Sequence, residues 1–285
     1  MLWSKRNEIA QLIRWDRPYG TLLLLFPTLW SLFVASSGRP AVWHLVVFIL
    51  GSFFMRSAGC VINDMADYRV DAQVARTKNR PLAKGALTHK EALWVLLFLL
   101  TLSFLLVLTL NRQTILLSFI ALFMAGLYPF TKRFTYFPQV ILGVAFSFGI
   151  LMAWTATQGE LTGVPVLIWV ANLFWTAGYD TIYALMDKED DQAIGIKSTA
   201  LFFGAKSGLA IGLSFSLAFV FLVLAGWMAE RGIAYYMVLA IAMIIFLYQT
   251  ALLCKSLEQK KLFALFKAHV AVGGIILAGI IMDFY

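Results

Sequence analysis

Asn63, Asp67 and Asp71 are spaced by four residues at the end of an apolar run, and Arg56 lies seven residues before the first of them. An α-helix turning about 100° per residue brings those three within about 80° of one another and sets Arg56 about 20° from Asn63. One stripe therefore carries an amide, two carboxylates and a guanidinium. Asp180, Tyr183, Asp187 and Asp191 share a face by the same geometry, at the end of a later apolar run. Like charges four apart destabilise a bare helix by about 0.2–0.5 kcal/mol, so both stripes call for a compensating cation. Hard oxygen ligands suit Mg²⁺, which takes one or two carboxylates and completes its shell with phosphate oxygens and water. The chemistry implied is a grip on a magnesium diphosphate. A solvated acidic surface explains either stripe alone, but two stripes running into apolar helices favour function, because ionisable groups in a membrane are expensive.

The loops beside these stripes supply the opposite charge. Arg76, Lys78, Arg80 and Lys84 follow the first, Lys132 and Arg133 follow Tyr128-Pro129, and Lys197 follows the second. Phosphate oxygens not bound by metal would find partners there. For any one of these residues the ordinary excess of Lys and Arg in cytoplasmic loops is an equal explanation. Their pairing with the aspartates is what favours a binding role.

The elements that must position these groups are membrane helices. The 285-residue chain is 61% hydrophobic and 13% charged, a balance that excludes an ordinary water-soluble domain. Apolar runs long enough to cross a core of about 30 Å fall near 20–36, 42–62, 92–110, 114–130, 137–157, 164–186, 207–228, 233–254 and 265–283. The expected fold is all-α, a polytopic bundle of about nine transmembrane helices forming a single domain over 1–285. Residues 1–19 form a cytoplasmic interfacial segment, with an amphipathic helix expected over 5–17. Of 23 Lys and Arg, all but Arg39, Arg112 and Arg231 belong to the N-terminus and every second connection. The positive-inside rule then puts the N-terminus and both acidic clusters in the cytoplasm and Tyr285 outside.

His44, His89 and His269 show no metal-ligand spacing, Cys60 and Cys254 form no paired motif, and neither a P-loop nor a nucleophile elbow is present. A secondary transporter or channel is the rival class. Against it, both clusters lie at one membrane surface beside basic loops, whereas transporter sites sit near the midplane.

Asn63-Asp64-x-x-Asp67-x-x-x-Asp71, Arg76-Thr77-x-x-Arg80-Pro81, Tyr128-Pro129-x-x-Lys132-Arg133 and Asp187-Lys188-x-Asp190-Asp191 occur in that order. The combination resembles the UbiA family of intramembrane prenyltransferases over nearly the whole chain. Arg17-Pro18-Tyr19-Gly20-Thr21 through Trp30, and Gly195-Ile196-Lys197-Ser198-Thr199-Ala200, resemble the bacterial branch that acts on 4-hydroxybenzoate in ubiquinone synthesis. The resemblance implies a nine-helix bundle of the bacterial inner membrane, a magnesium requirement, a polyprenyl diphosphate donor and attachment ortho to the acceptor hydroxyl. A sister enzyme with another aromatic acceptor is the nearest alternative.

Carried onto this chain, the resemblance implies metal-diphosphate ligands at Asn63, Asp67, Asp71, Asp187 and Asp191. Lys132 and Arg133 match the family's basic pair, and Lys132 joins the four aspartates as a catalytic candidate. Arg76, Arg80, Lys132, Arg133 and Lys197 are the candidate diphosphate contacts. Arg56 is the candidate for the acceptor carboxylate, because it lies deeper on the stripe of Asn63 and Asp67, and Arg17 is the second candidate. A salt bridge to the aspartates explains Arg56 equally well. Asp64, Asp180 and Asp190 stay open between supporting hydrogen bonds and helix packing. Donor length, oligomeric state and the proton acceptor are not legible in the sequence.

Overall fold

The computed structural model describes residues 5–74, 76–255 and 257–285. Among them there is no strand. Nine long helices run back and forth through the molecule: α2 (Tyr19–Ala35), α3 (Val42–Asp71), α4 (His89–Val107), α5 (Arg112–Thr131), α6 (Pro138–Gln158), α7 (Gly163–Met186), α10 (Ser207–Met228), α11 (Ile233–Leu253) and α12 (Gln259–Met282). Three short ones, α1 (Arg6–Leu12), α8 (Lys188–Ile194) and α9 (Thr199–Phe203), gather at the end where α3 finishes.

Seven of the long helices are both long and apolar enough to cross a membrane. The two others are α2, apolar but 17 residues long, and α7, which carries Asn172 and Asp180 along its 24 residues. The outward faces are apolar, with Trp94, Phe98, Phe123, Leu213 and Ile244 all exposed. A surface of that kind is stable against lipid and not against water. This is a multi-span membrane protein.

Local signals set the helix ends. Thr88 Oγ1 accepts from the Glu91 amide at 3.2 Å while Glu91 accepts from the Thr88 amide at 2.8 Å, a capping box that starts α4. The Asn111 side chain accepts from the Thr114 amide at 3.0 Å and starts α5. The bundle packs α7 between α6, α10 and α12, and α2 against α6 and α12. Its core is aromatic: Trp30 stacks on Trp175, and Phe215 on Phe246, around the fully buried His269.

Three boundaries differ from the sequence expectation. The N-terminal helix covers 6–12 and not 5–17, because Arg14 takes a left-handed φ of 58° and turns the chain toward the end of α3. The last helix begins at Gln259, six residues before the apolar run, because its first turn carries the polar Gln259, Lys260 and Lys261 and buries only Leu262. The second acidic stripe is not one helix. Helix α7 ends at Met186, Asp187 breaks it, and Asp191 belongs to α8.

Candidate active site

A cavity of about 970 Å³ opens where α3 ends and α7 gives way to α8. Asn63, Asp67 and Asp71 line one wall, and Asp180, Tyr183, Asp187 and Asp191 line the opposite one. Both stripes thus border one space. Farther from the mouth the lining turns apolar, with Leu97, Phe104, Leu122, Phe148 and Met152. The long uninterrupted α3 makes this possible, since one rigid helix carries both the carboxylates near its end and Gly51 deep in the apolar part.

The connection from α3 to α4 folds back over the acidic walls. Arg76 Nε donates to Asp187 Oδ1 at 2.8 Å, and the same guanidinium also donates to Asp187 Oδ2 and the Tyr183 hydroxyl. Arg80 Nη1 donates to Asp71 Oδ2 at 2.7 Å and to Asp64 Oδ1 at 3.1 Å. Thr77 donates to the Asp71 carbonyl at 3.0 Å and holds the start of this connection against α3. From the end of α5, Lys132 donates to Asp67. The acids they meet are buried: Asp64, Asp67 and Asp71 are 1%, 2% and 7% exposed.

Electrostatics outside the spans follow from this crowding. Burial acts to lower the pKa of Arg76, but Tyr183 and Asp187 outweigh it and hold the guanidinium above its ordinary value. Arg80 is raised for the same reason, with Asp64 and Asp71 overcoming burial. Burial first, and the charge of Asp187 second, push the Asp191 carboxyl up to about 7. A carboxyl so displaced is stabilised as its anion by any cation brought beside it.

The donor set fits magnesium in a particular way. Among the described residues no three Asp, Glu, His or Cys side chains converge as a ready-made ion site. Oxygen donors on two facing walls, all hard, suit an ion that takes one or two carboxylates and draws its remaining ligands from phosphate and water.

Arg56 lies deeper, and it makes no ion pair among the described residues. Its Nη1 meets Cys60 Sγ at 2.7 Å, its guanidinium carbon sits 5.9 Å from the centre of the Phe146 ring, and its buried Nε has no partner. The salt bridge expected as an alternative explanation for this arginine is not formed. Gly20 makes room for it, since a Cβ there would stand 2.7 Å from both Nε and Nη2. Arg17 also borders the cavity, but at its mouth, more than half exposed and 3.4 Å from Asp16.

Of the other sequence candidates, Lys197 lines the cavity and points its Nζ toward the Phe134 carbonyl at 3.3 Å. Arg133 does not belong to the lining. It lies over the Phe130 ring, donates to the Ala66 carbonyl at 2.8 Å and stands 4.0 Å from Asp67 Oδ1, so it approaches the carboxylate that Lys132 holds from outside the cavity. Asp190 is likewise outside the lining, whereas Asp191 is inside. One residue was missed altogether. Arg14 Nη2 grips both oxygens of Asp64 at 2.7 and 2.9 Å, closing a chain of charges from the N-terminal segment through Asp64 and Arg80 to Asp71. Its sequence signal was submerged in a basic N-terminus that the positive-inside rule already explained.

Known proteins resemble this chain in sequence and in fold. The chain is 49% identical over 282 residues to a 4-hydroxybenzoate octaprenyltransferase of Vibrio campbellii, covering 99% of each chain. The apo structure of a UbiA homolog from Aeropyrum pernix K1 superposes with a TM-score of 0.80 at 24% identity, covering 92% of this chain and 98% of that one. A UbiA homolog from Archaeoglobus fulgidus bound to GPP and Mg²⁺ gives 0.70 at 19% identity, covering 95% and 99%. Residues 24–272 match the UbiA prenyltransferase family, and with two facing acidic walls above an apolar cavity, the chain belongs to that family.

Proposed function

We propose that the protein transfers a polyprenyl group from polyprenyl diphosphate to the carbon ortho to the hydroxyl of 4-hydroxybenzoate, with magnesium, in ubiquinone synthesis. The observation that carries this reading is the joining, in one cavity, of two acidic walls rich in arginine contacts to a long apolar recess. Nearly full-length similarity to an enzyme named for this reaction supports the choice of acceptor.

In this reading Asn63, Asp67 and Asp71 hold one side of the metal-diphosphate and Asp187 and Asp191 the other. Magnesium bound there supplies positive charge to the departing diphosphate. Arg76, Arg80, Lys132 and Lys197 meet the phosphate oxygens as the allylic C–O bond lengthens and negative charge grows on them. Arg133, from outside the lining, holds the Ala66 backbone and so steadies Asp67. The apolar recess takes the prenyl chain and keeps water from the allylic cation. Arg56 binds the acceptor carboxylate in a fork that turns the ring toward the cation, and Arg17 guides the acid in at the mouth. The ring carbon beside the hydroxyl then forms the C–C bond.

The protein is proposed to sit in the bacterial inner membrane with nine crossings, α2 and α7 included. Its N-terminus, the interfacial segment 1–19 and the cavity mouth then face the cytoplasm and Tyr285 faces the periplasm. Residues 1–4 of that segment lie outside the described residues.

Purified protein incubated with 4-hydroxybenzoate and donors of graded length, with and without magnesium, tests the proposal by mass spectrometry. The expected product is a 3-polyprenyl-4-hydroxybenzoate that retains its carboxylate and forms only with magnesium. Absence of that product with every donor overturns the reading.

A further inference from the structure

The carboxylates around the cavity are not equivalent. Asp64 is held by Arg14 and Arg80, Asp67 by Lys132 with Arg133 at 4.0 Å, Asp71 by Arg80 and Asp187 by Arg76. Asp180 differs. Among the described residues nothing hydrogen-bonds the Asp180 carboxylate and no cation comes within ion-pair distance of it, while Arg56 lines the same cavity. An ionisable side chain deep in an apolar helix without a partner demands an explanation.

Its direction is set by helix packing. Gly178 on α7 lies against the Phe215 ring, and Tyr179 is buried between Trp175, Phe266 and His269. Asp180 is thereby turned from the core into the cavity, on the same wall as Tyr183 and Asp187 but one to two turns deeper. Arg56, seven residues before Asn63 as Asp180 is seven before Asp187, lines the same cavity, and so does Tyr128. The deep part of the polar site thus presents one cation and one anion that do not touch each other. A molecule with a carboxylate at one end and an acidic hydroxyl at the other completes both.

We infer that Asp180 is the proton acceptor of the transfer, a role that rests on the proposed function above. Its carboxylate accepts a hydrogen bond from the phenolic hydroxyl while Arg56 holds the acid end. As the ortho carbon attacks the prenyl cation, the O–H bond breaks and its proton passes to the Asp180 carboxylate. The O–H electron pair becomes the C=O bond of a dienone, and a ring π pair makes the new C–C bond. Loss of the ring proton at the substituted carbon to solvent or the released diphosphate, with return of a proton to oxygen from the Asp180 carboxyl, restores the phenol. No net oxidant or reductant is involved. Asp67, Asp71 and Asp187 are unsuited to this task because each is already held by a cation nearer the mouth, and Asp191 because it belongs to α8, at the mouth and about three turns of chain beyond Asp180.

Asp180→Asn is compared with the unaltered protein on 4-hydroxybenzoate and on ring-fluorinated 4-hydroxybenzoates, whose phenols are more acidic. The expected result is a loss of about 100-fold or more in kcat, with the affinity for unlabelled 4-hydroxybenzoate changed less than about 3-fold. The deficit of the variant relative to the unaltered protein should shrink as the phenol becomes more acidic, a trend that a purely structural role does not produce. If the amide variant does not fold, Asp180→Ala with added formate decides the matter, restored turnover supporting the inference and its absence opposing it. A variant-to-parent ratio that stays flat across the acceptors, or full activity of Asp180→Asn, overturns it. Failure of the unaltered protein to prenylate 4-hydroxybenzoate instead overturns the proposed function.

Discussion

Arg76, on the connection after α3, lays its guanidinium across both carboxylate oxygens of Asp187, 111 positions later in the chain. A single side chain thereby couples the two acidic motifs before any substrate is considered. The same guanidinium lies 4.6 Å from the centre of the Tyr183 ring, so its plane and position are fixed by stacking as well as by charge.

Lysine cannot reproduce that planar fork. Arg76→Lys is expected to raise the donor KM by about 10- to 100-fold, the worth of a charge-assisted hydrogen bond. The acceptor KM should stay the same. Steady-state kinetics with each substrate varied in turn checks this, and equal changes in both constants would contradict the assignment.

Chelation of divalent cations should abolish transfer, and added magnesium should restore it. Asp67→Asn and Asp187→Asn each are expected to lower turnover by about 100-fold or more. Each should also shift the magnesium titration to higher concentration, because each wall loses one formal charge. Magnesium dependence unchanged in either variant would remove that residue from the metal-binding set.

The space around Arg56 depends on the absence of a side chain at position 20. Gly20→Ala brings a methyl group to 2.7 Å from Nε and Nη2, so the guanidinium must move. We expect the KM for 4-hydroxybenzoate to rise about 10-fold, the loss of one good hydrogen bond to a charged group, with little change for the donor. Arg56→Lys should act in the same direction, and both effects should vanish with an acceptor lacking the carboxylate.

Gly51 lies about 24 Å along α3 from Asp67 and has nothing within 4 Å of where its Cβ would be. Since it lines the cavity, Gly51→Trp should fill the recess without disturbing a neighbouring helix. Turnover of a short donor such as geranyl diphosphate is expected to persist, while that of a long polyprenyl donor falls about 10-fold or more, a loss of roughly 1.4 kcal/mol or more in transition-state stabilisation. Product analysis with the two donors in competition measures this ratio, and an unaltered preference would show that the chain leaves the site by another route.

Much of this was legible in the residues. The apolar runs marked every long helix to within a few residues, apart from the polar extensions of α3 and α12, because lipid forces backbone polar groups to bond within their own segment and so makes span length readable. The acidic stripe of α3 followed from helical periodicity alone, since the helix is unbroken through Asp71. The second stripe was misread as one helix, although its members still line one cavity, because a break at Asp187 preserves direction without preserving registry.

Sequence by itself therefore determined the membrane helices, the acidic residues on them and the family they belong to, all properties of local spacing and composition. Only the tertiary structure decided which cation meets which carboxylate. Arg14 reaches Asp64, Arg133 approaches Asp67 from outside the cavity, and Arg56 and Asp180 line one cavity with no ion pair to either among the described residues. Long flexible side chains choose partners by the distances between distant segments, and those distances follow from how the helices pack, which no spacing along one helix encodes.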